Sequence, residues 1–256
     1  MAEAAVVVDG VSLCYRLARQ RTHSLKEYAV HWLRGALTYS ELWALRDISF
    51  EIPKGAQVAL LGRNGAGKST LLKVIATVLK PTIGRSRVQG KVVPILELGM
   101  GFDYELTGIE NVYLNALFLG QRRREIDAKI NEIIDFSGLG EFAETPIRNY
   151  SSGMLARLGF SIATAWKPDV LILDEVLAVG DFAFRARCRD RISELRSGGC
   201  TVLTVLHGFD ETDGATERCL LLHGGRLVAD GEPAAVVAQY HELLNQPGAV
   251  ELSAAR

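Results

Sequence analysis

No uninterrupted apolar run in the sequence approaches ~18 residues, so no stretch reads as one that spans a bilayer by itself. Neither charge is in excess: 29 Lys and Arg face 30 Asp and Glu, a formal net charge of −1 over 256 residues. Generic nucleic-acid binding leaves a basic footprint, and this balance argues against it. Cysteine is scarce and scattered. Cys14, Cys188, Cys200 and Cys219 show no CxxC spacing and no nearby paired histidines, a pattern of reduced, cytosolic, buried small hydrophobes rather than of a disulfide frame or a zinc site. The opening Met1-Ala2-Glu3-Ala4-Ala5 lacks a basic stretch followed by an apolar core and does not read as a secretory signal. What is present is apolar material: 48% of the residues are hydrophobic, enough for one full domain or one domain with a lobe.

One stretch carries chemistry on its face. Gly62-Arg63-Asn64-Gly65-Ala66-Gly67-Lys68-Ser69-Thr70 follows the apolar run Val58-Ala59-Leu60-Leu61 and leads into Leu71-Leu72-Lys73-Val74-Ile75. The order is strand, glycine-rich turn, helix start, the context that separates a phosphate loop from a chance match. The glycines let successive backbone N–H groups curl around a polyphosphate. Lys68 supplies a point charge toward the β and γ oxygens, Ser69 a hydroxyl for Mg²⁺, and the helix its positive dipole end. These residues predict binding of a nucleoside triphosphate with Mg²⁺.

Residues 6–15 alternate loosely, as an edge strand does, and residues 44–52 alternate again before Pro53-Lys54-Gly55 turns the chain into the phosphate-loop strand. Between them, residues 17–42 carry Leu25, Tyr28, Ala29, Trp32, Leu33 and Ala36 at the spacing of an amphipathic helix. Its apolar face packs either on its own domain or on a membrane partner or the bilayer interface. Lys80-Pro81-Thr82-Ile83-Gly84 reads as a breaker cluster, and strand patterning resumes over residues 87–89 and 91–98. Helical patterns fill residues 108–119, 124–136 and 152–165, a helical subdomain of about residues 100–166 set between two α/β halves. Arg122-Arg123-Arg124 within it is a solvated charge run or, in the sharper reading, a phospholipid or coupling contact. Alternation then returns with a strand at 170–173, a helix at 182–196, a strand at 201–206, a hairpin around Gly224-Gly225 and a last helix at 233–244. Residues 1–246 form the domain, and 247–256 read as a frayed tail.

The strand Val170-Leu171-Ile172-Leu173 ends in Asp174-Glu175. A carboxylate at that edge can hold Mg²⁺, and the next one can polarise an attacking water as general base. With Tyr150-Ser151-Ser152-Gly153-Met154 just before the second α/β half, the chain resembles the ATP-binding subunits of ABC transporters from about residue 6 to 244. The resemblance implies an α/β P-loop NTPase fold of the ABC type, with an antiparallel β edge and an inserted helical subdomain. It implies that Ser151 and Gly153 bind the γ-phosphate held by a second copy in a head-to-tail dimer. The stretch departs from the LSGGQ signature at Tyr150, Ser152 and Met154.

Three further stretches resemble the branch that exports O-antigen, capsule, teichoic acid and related polysaccharides: Leu96-Glu97-Leu98-Gly99-Met100-Gly101-Phe102, then Glu105-Leu106-Thr107-Gly108, and residues 174–181. In that branch Glu97 stands at the position of the Mg²⁺-sensing Q-loop glutamine. Asp181 matches the aspartate that links the two sites, with a helix N-cap as its plainer role. His207 matches the switch histidine on the γ-phosphate, although the usual Ser-His-Asp wording is here Leu206-His207-Gly208. For the aromatic that stacks on adenine, Tyr15 and Trp43 are both candidates, with Tyr15 favoured.

The implied activity is ATP hydrolysis by a homodimeric motor on the cytoplasmic face of the membrane. It works with a separate permease to move lipid-linked polysaccharide and has no nucleic-acid partner. The rivals are a soluble ABC ATPase acting on ribosomes or nucleic acid, and a low-turnover regulatory cassette. Some family members continue into a carbohydrate-binding β-sandwich; with the sequence ending at Arg256, substrate selection is expected in the membrane partner.

Overall fold

Near-continuous apolar runs become central strands when helices cover both faces of a sheet. The computed structural model, which describes residues 3–18, 39–95, 101–174, 181–206 and 216–245, has such a sheet at its centre. In spatial order its strands are β5 (Val92–Ile95), β6 (Val170–Asp174), β7 (Thr201–Val205), β3 (Gln57–Leu61), β8 (Arg218–His223) and β9 (Arg226–Gly231). All neighbours run parallel except the β8–β9 hairpin. Every side chain of β3 is buried, and its residues alternate between two layers. Val58 and Leu60 face a cluster shared with α1 (Lys68–Ile75), while Ala59 and Leu61 face Val236 and Val237 of α7 (Pro233–Asn245).

A second sheet is antiparallel, with β1 (Ala4–Ala18) between β2 (Tyr39–Pro53) and β4 (Ile83–Val88). Its inner face, including Val6, Val8, Ile48 and Ile52, packs with Leu71, Leu72 and Leu220 in one core cluster that joins the two sheets. Burying each such side chain contributes about 2 kcal/mol.

Between β5 and β6 lies the helical segment. It comprises α2 (Gly108–Phe118), α3 (Arg123–Asp127), α4 (Ile130–Ser137), two 3-10 turns and α5 (Ser152–Thr164), around its own core of Val112, Ile126, Ile133, Ile147, Leu158 and Ile162. Thr107 and Glu110 close a capping box on α2, with Thr107 N–H donating to Glu110 Oε2 at 2.8 Å and Glu110 N–H to Thr107 Oγ1 at 3.2 Å. α5 ties this segment to the central sheet: its Phe160 packs with Leu171 and Leu173 of β6 and with Phe184 of α6 (Phe182–Ser197). The rings of Phe136, Phe160 and Phe184 stand 5.8–6.1 Å apart.

The element bounds differ from the sequence reading in three places. Residues 17–18 and 39–42 continue the β1–β2 ladder, with Leu17 paired to Ser40 and Ala18 to Tyr39, so the inserted segment is shorter than 17–42. The amphipathic stretch from Leu25 to Ala36, and the tail 247–256, lie outside the described residues. The helix expected at 124–136 is two, one ending at Asp127 with Ala128 as its C-cap and the next starting at Ile130 with Lys129, at φ −117° and ψ −6°, as its N-cap. β4 already starts at Ile83, inside the expected breaker cluster. Gly84 sits there at φ +79°, where a Cβ would meet Gly10 O at 2.3 Å, so this glycine marks a close strand crossing rather than a turn.

Candidate nucleotide-binding site

Residues 62–67 leave the C-terminal edge of β3 and enter α1 through Gly67, a left-handed N-cap at φ +104° with no side-chain cap. The first N–H groups of a helix have no intrahelical acceptor, so here they are left for a ligand. The loop is held from behind. A Cβ on Gly62 would meet Leu222 O at 2.4 Å, and one on Gly67 would meet Ala44 O at 2.7 Å, so both positions admit only glycine. Gly65 is different, for its missing Cβ meets nothing within 4 Å. Asn64, Gly65 and Ser69 are exposed along the loop's outer side, Thr70 is half-buried and Ala66 is buried underneath.

Lys68 is buried, and its Nζ donates to Gly62 O and, at 3.3 Å, to Arg63 O. A buried ammonium needs such partners. Phosphate oxygens are stronger acceptors for the same cation, and the exposed Ser69 hydroxyl stands one residue on. An uncapped helix start, a buried ammonium and an exposed hydroxyl fit a triphosphate with a divalent cation.

The sheet brings the other half of the chemistry to the same edge. Leu60 of β3 and Asp174 of β6 are both registered to Val205 of β7, which puts their backbones two strands apart, about 10 Å. Ligands of open parallel sheets bind outside this edge. β7 leads through Leu206, whose N–H donates to Leu60 O at 3.1 Å, toward His207. Glu175, His207 and Glu97 themselves lie outside the described residues, as does the environment of the Asp174 side chain.

Two expected residues are helix N-caps. Ser151 N-caps α5, its Oγ accepting from Met154 N–H at 3.2 Å, and Ser151 and Ser152 are exposed with Gly153 half-buried behind them. Among the described residues no hydrogen bond joins Ser151 to residues 62–70. Asp181 N-caps α6, accepting from Phe184 N–H at 2.8 Å, so the plainer reading of Asp181 is realised. Tyr15 pairs with Leu42 and packs on the core cluster that includes Ala66 and Leu71, whereas Trp43 pairs with Cys14 and so projects from the opposite face.

Two residues support the site through contacts that the sequence reading did not show. Tyr150 is 8% exposed, and its hydroxyl donates to Phe142 O at 2.6 Å. Burial pushes its phenol above the ordinary range, so it remains a donor. The departure from the usual leucine thus anchors the start of α5. Gly225 N–H donates to Ala66 O at 3.0 Å, and only its place in a Gly-Gly turn was visible in the sequence. In the arginine run, Arg122 N–H donates to Glu125 Oε2 at 2.6 Å and Arg123 lies over the Tyr113 ring, in keeping with a surface role.

Comparison with known proteins agrees with this geometry. Residues 45–178 match the ABC transporter family. ABC transporter protein AbcA of Aeromonas salmonicida is 41% identical over 97% of this chain and 79% of its own length. The O-antigen export system ATP-binding protein RfbB of Klebsiella pneumoniae is 48% identical over 78% of this chain and 82% of its own. The teichoic acids export ATP-binding protein TagH of Shouchella clausii is 34% identical over 94% and 66%. Among solved structures, a dimeric ATP-binding cassette in a post-hydrolysis state bound to ADP and Pi superposes with a TM-score of 0.69 at 21% identity, over 89% of this chain and 98% of that one. With a family match over half its length and relatives above 40% identity, the chain belongs to the ABC transporter family, as one of its ATP-binding cassette ATPases.

Proposed function

We propose that this protein is the ATP-hydrolysing motor of an exporter that moves a lipid-linked cell-surface polysaccharide, of O-antigen, capsule, teichoic acid or galactan type, across the cytoplasmic membrane. The observation that carries this reading is the similarity to O-antigen and teichoic acid export ATP-binding proteins over 78–94% of the chain. The same similarity favours it over a ribosome-directed or regulatory cassette. Among the described residues no helix is long and apolar enough to cross a membrane, so in this reading a separate permease supplies the path. A groove of about 480 Å³ lined by Ile109, Ile130 and Ile134 together with Asp135, Glu141 and Glu144 offers that permease a surface, as do the exposed Leu117 and Phe118.

In this mechanism Lys68 and the N–H groups opening α1, from Gly62 through Thr70, hold the β and γ phosphates, and Tyr15 stacks on the base. Ser69 and Asp174 hold Mg²⁺, with Glu97 sensing it. When bound, the cation withdraws charge from the phosphate oxygens. Glu175 orients a water and takes its proton, and His207 contacts the γ-phosphate. Ser151 and Gly153 of a second copy close the site through the exposed start of α5, and Asp181 links the two sites. Closure on ATP and reopening after hydrolysis shift the dimer between two states by differential affinity.

Glu175→Gln tests the base. The variant is expected to bind ATP, accumulate as a dimer in size-exclusion chromatography with ATP, and release phosphate about a hundredfold more slowly or worse. Turnover equal to that of the parent chain would sink the assignment. Pull-down of the full chain is expected to recover a membrane permease and not ribosomes.

A further inference from the structure

At Gly225 the β8–β9 hairpin touches the phosphate loop and β2 at once. Gly225 N–H donates to Ala66 O at 3.0 Å, and Gly225 O accepts from Arg46 N–H at 2.7 Å. At φ +78°, a Cβ on Gly225 would lie 2.7 Å from Ala44 O, the carbonyl that also faces the missing Cβ of Gly67 at 2.7 Å. One carbonyl of β2 is therefore wedged between the last glycine of the phosphate loop and the glycine of the hairpin. Gly224, one residue earlier, has φ +54° and nothing within 4 Å of its missing Cβ, so it serves the turn alone.

We propose that Gly225 is a positioning residue for the phosphate loop. Its two backbone hydrogen bonds and its lack of a side chain fix Ala66 and Gly67, and with them the N–H groups that open α1, relative to β2. β2 pairs with β1, which carries Tyr15, so the same contact sets the phosphate loop against the strand pair proposed to meet the base. The inference rests on reading residues 62–70 as the triphosphate loop. A side chain at 225 must push Gly225 and Ala44 apart, and Ala66, whose O accepts from Gly225 N–H, is drawn along or loses that bond. A shift of several tenths of an ångström weakens several N–H···O bonds to phosphate at once, because each falls off steeply with distance and angle.

Comparing Gly225→Asn with Gly224→Asn isolates this effect. Asparagine tolerates the left-handed backbone that both positions adopt, so the two variants share the turn geometry and differ in the contact with Ala44 O. In the full chain with ATP and Mg²⁺, Gly225→Asn is expected to raise the calorimetric Kd and the KM for ATP at least tenfold, with kcat at saturation changed less than threefold. Gly224→Asn is expected to stay within twofold of the parent. Equal effects in the two variants, or none in either, would overturn the proposal. Should Gly225→Asn fail to fold, hydrogen exchange on the parent chain decides. ATP is expected to slow exchange of the Gly225 amide at least tenfold and leave Gly224 unchanged, and an unaltered Gly225 rate would overturn the assignment. Lys68→Ala run alongside separates the two readings: a parent that binds ATP no better than this variant loses the phosphate-loop reading itself.

Discussion

The environment of each cysteine separates Cys14 from the other three. Burial pushes Cys188 and Cys219 up to about 12 and Cys200 up to about 11 from an ordinary value near 9.0, because the thiolate loses its hydration in an apolar core. At pH 8 the least shifted of them is ionised in about one molecule in a thousand, and the thiolate is the nucleophile. A thiol reagent at that pH is expected to label only the half-buried Cys14 in the native chain and all four thiols after unfolding; native labelling of two or more would contradict the core packing. The raised values also carry a linkage. The folded state favours the protonated thiols, so their contribution to stability is complete below pH 9 and is lost as the pH climbs toward 11 and 12. Where the pattern is local, the sequence placed single residues on their elements. Lys68 and Ser69 stand at a helix start as their motif demands, and Asp181 caps the helix it precedes.

At the scale of elements, α5 presents the signature stretch, and Tyr150 fixes where it begins. The phenol reaches back to Phe142 O, in the 3-10 turn Gly140–Glu144, and a Cβ on Gly108 would lie 2.3 Å from its oxygen. The hydroxyl therefore ties the start of α5 to the Gly140–Glu144 turn and packs closely against Gly108 at the start of α2. Tyr150→Phe keeps the ring and removes one buried hydrogen bond, so it is expected to lower unfolding stability by about 1 kcal/mol in a denaturant titration. A neutral result would show that ring packing alone holds the helix start. The strand–loop–helix unit 57–75 was legible because a short continuous apolar run gives way across glycines to a second apolar segment that opens a helix. The break at Lys129 and the early start of β4 were not. An apolar pattern continues through the first, and the second depends on Gly84 meeting Gly10, a residue 74 positions earlier.

At the scale of the whole molecule, the proposed dimer shares each site between two chains, Lys68 from one and the exposed start of α5 from the other. That geometry predicts complementation. Lys68→Ala and Ser151→Arg chains, each inactive alone, are expected to regain phosphate release on mixing, because half of the mixed dimers' sites combine an intact Lys68 with an intact Ser151. Failure to regain any activity would favour a site built within one chain.

The sequence by itself determined the glycine-rich strand–loop–helix unit and the acidic end of β6, because each is written in contiguous residues of one or two adjoining elements, and its family resemblance implied the fold class. Only the tertiary structure decided which distant strands meet. It placed β7 between β3 and β6, so that Leu60 and Asp174 share one registry partner. It set Tyr15 and not Trp43 on the core cluster beside the loop, and it brought Gly225 under Ala66. Those placements arise from burial and close backbone approach between segments far apart in the chain, and no local pattern encodes them.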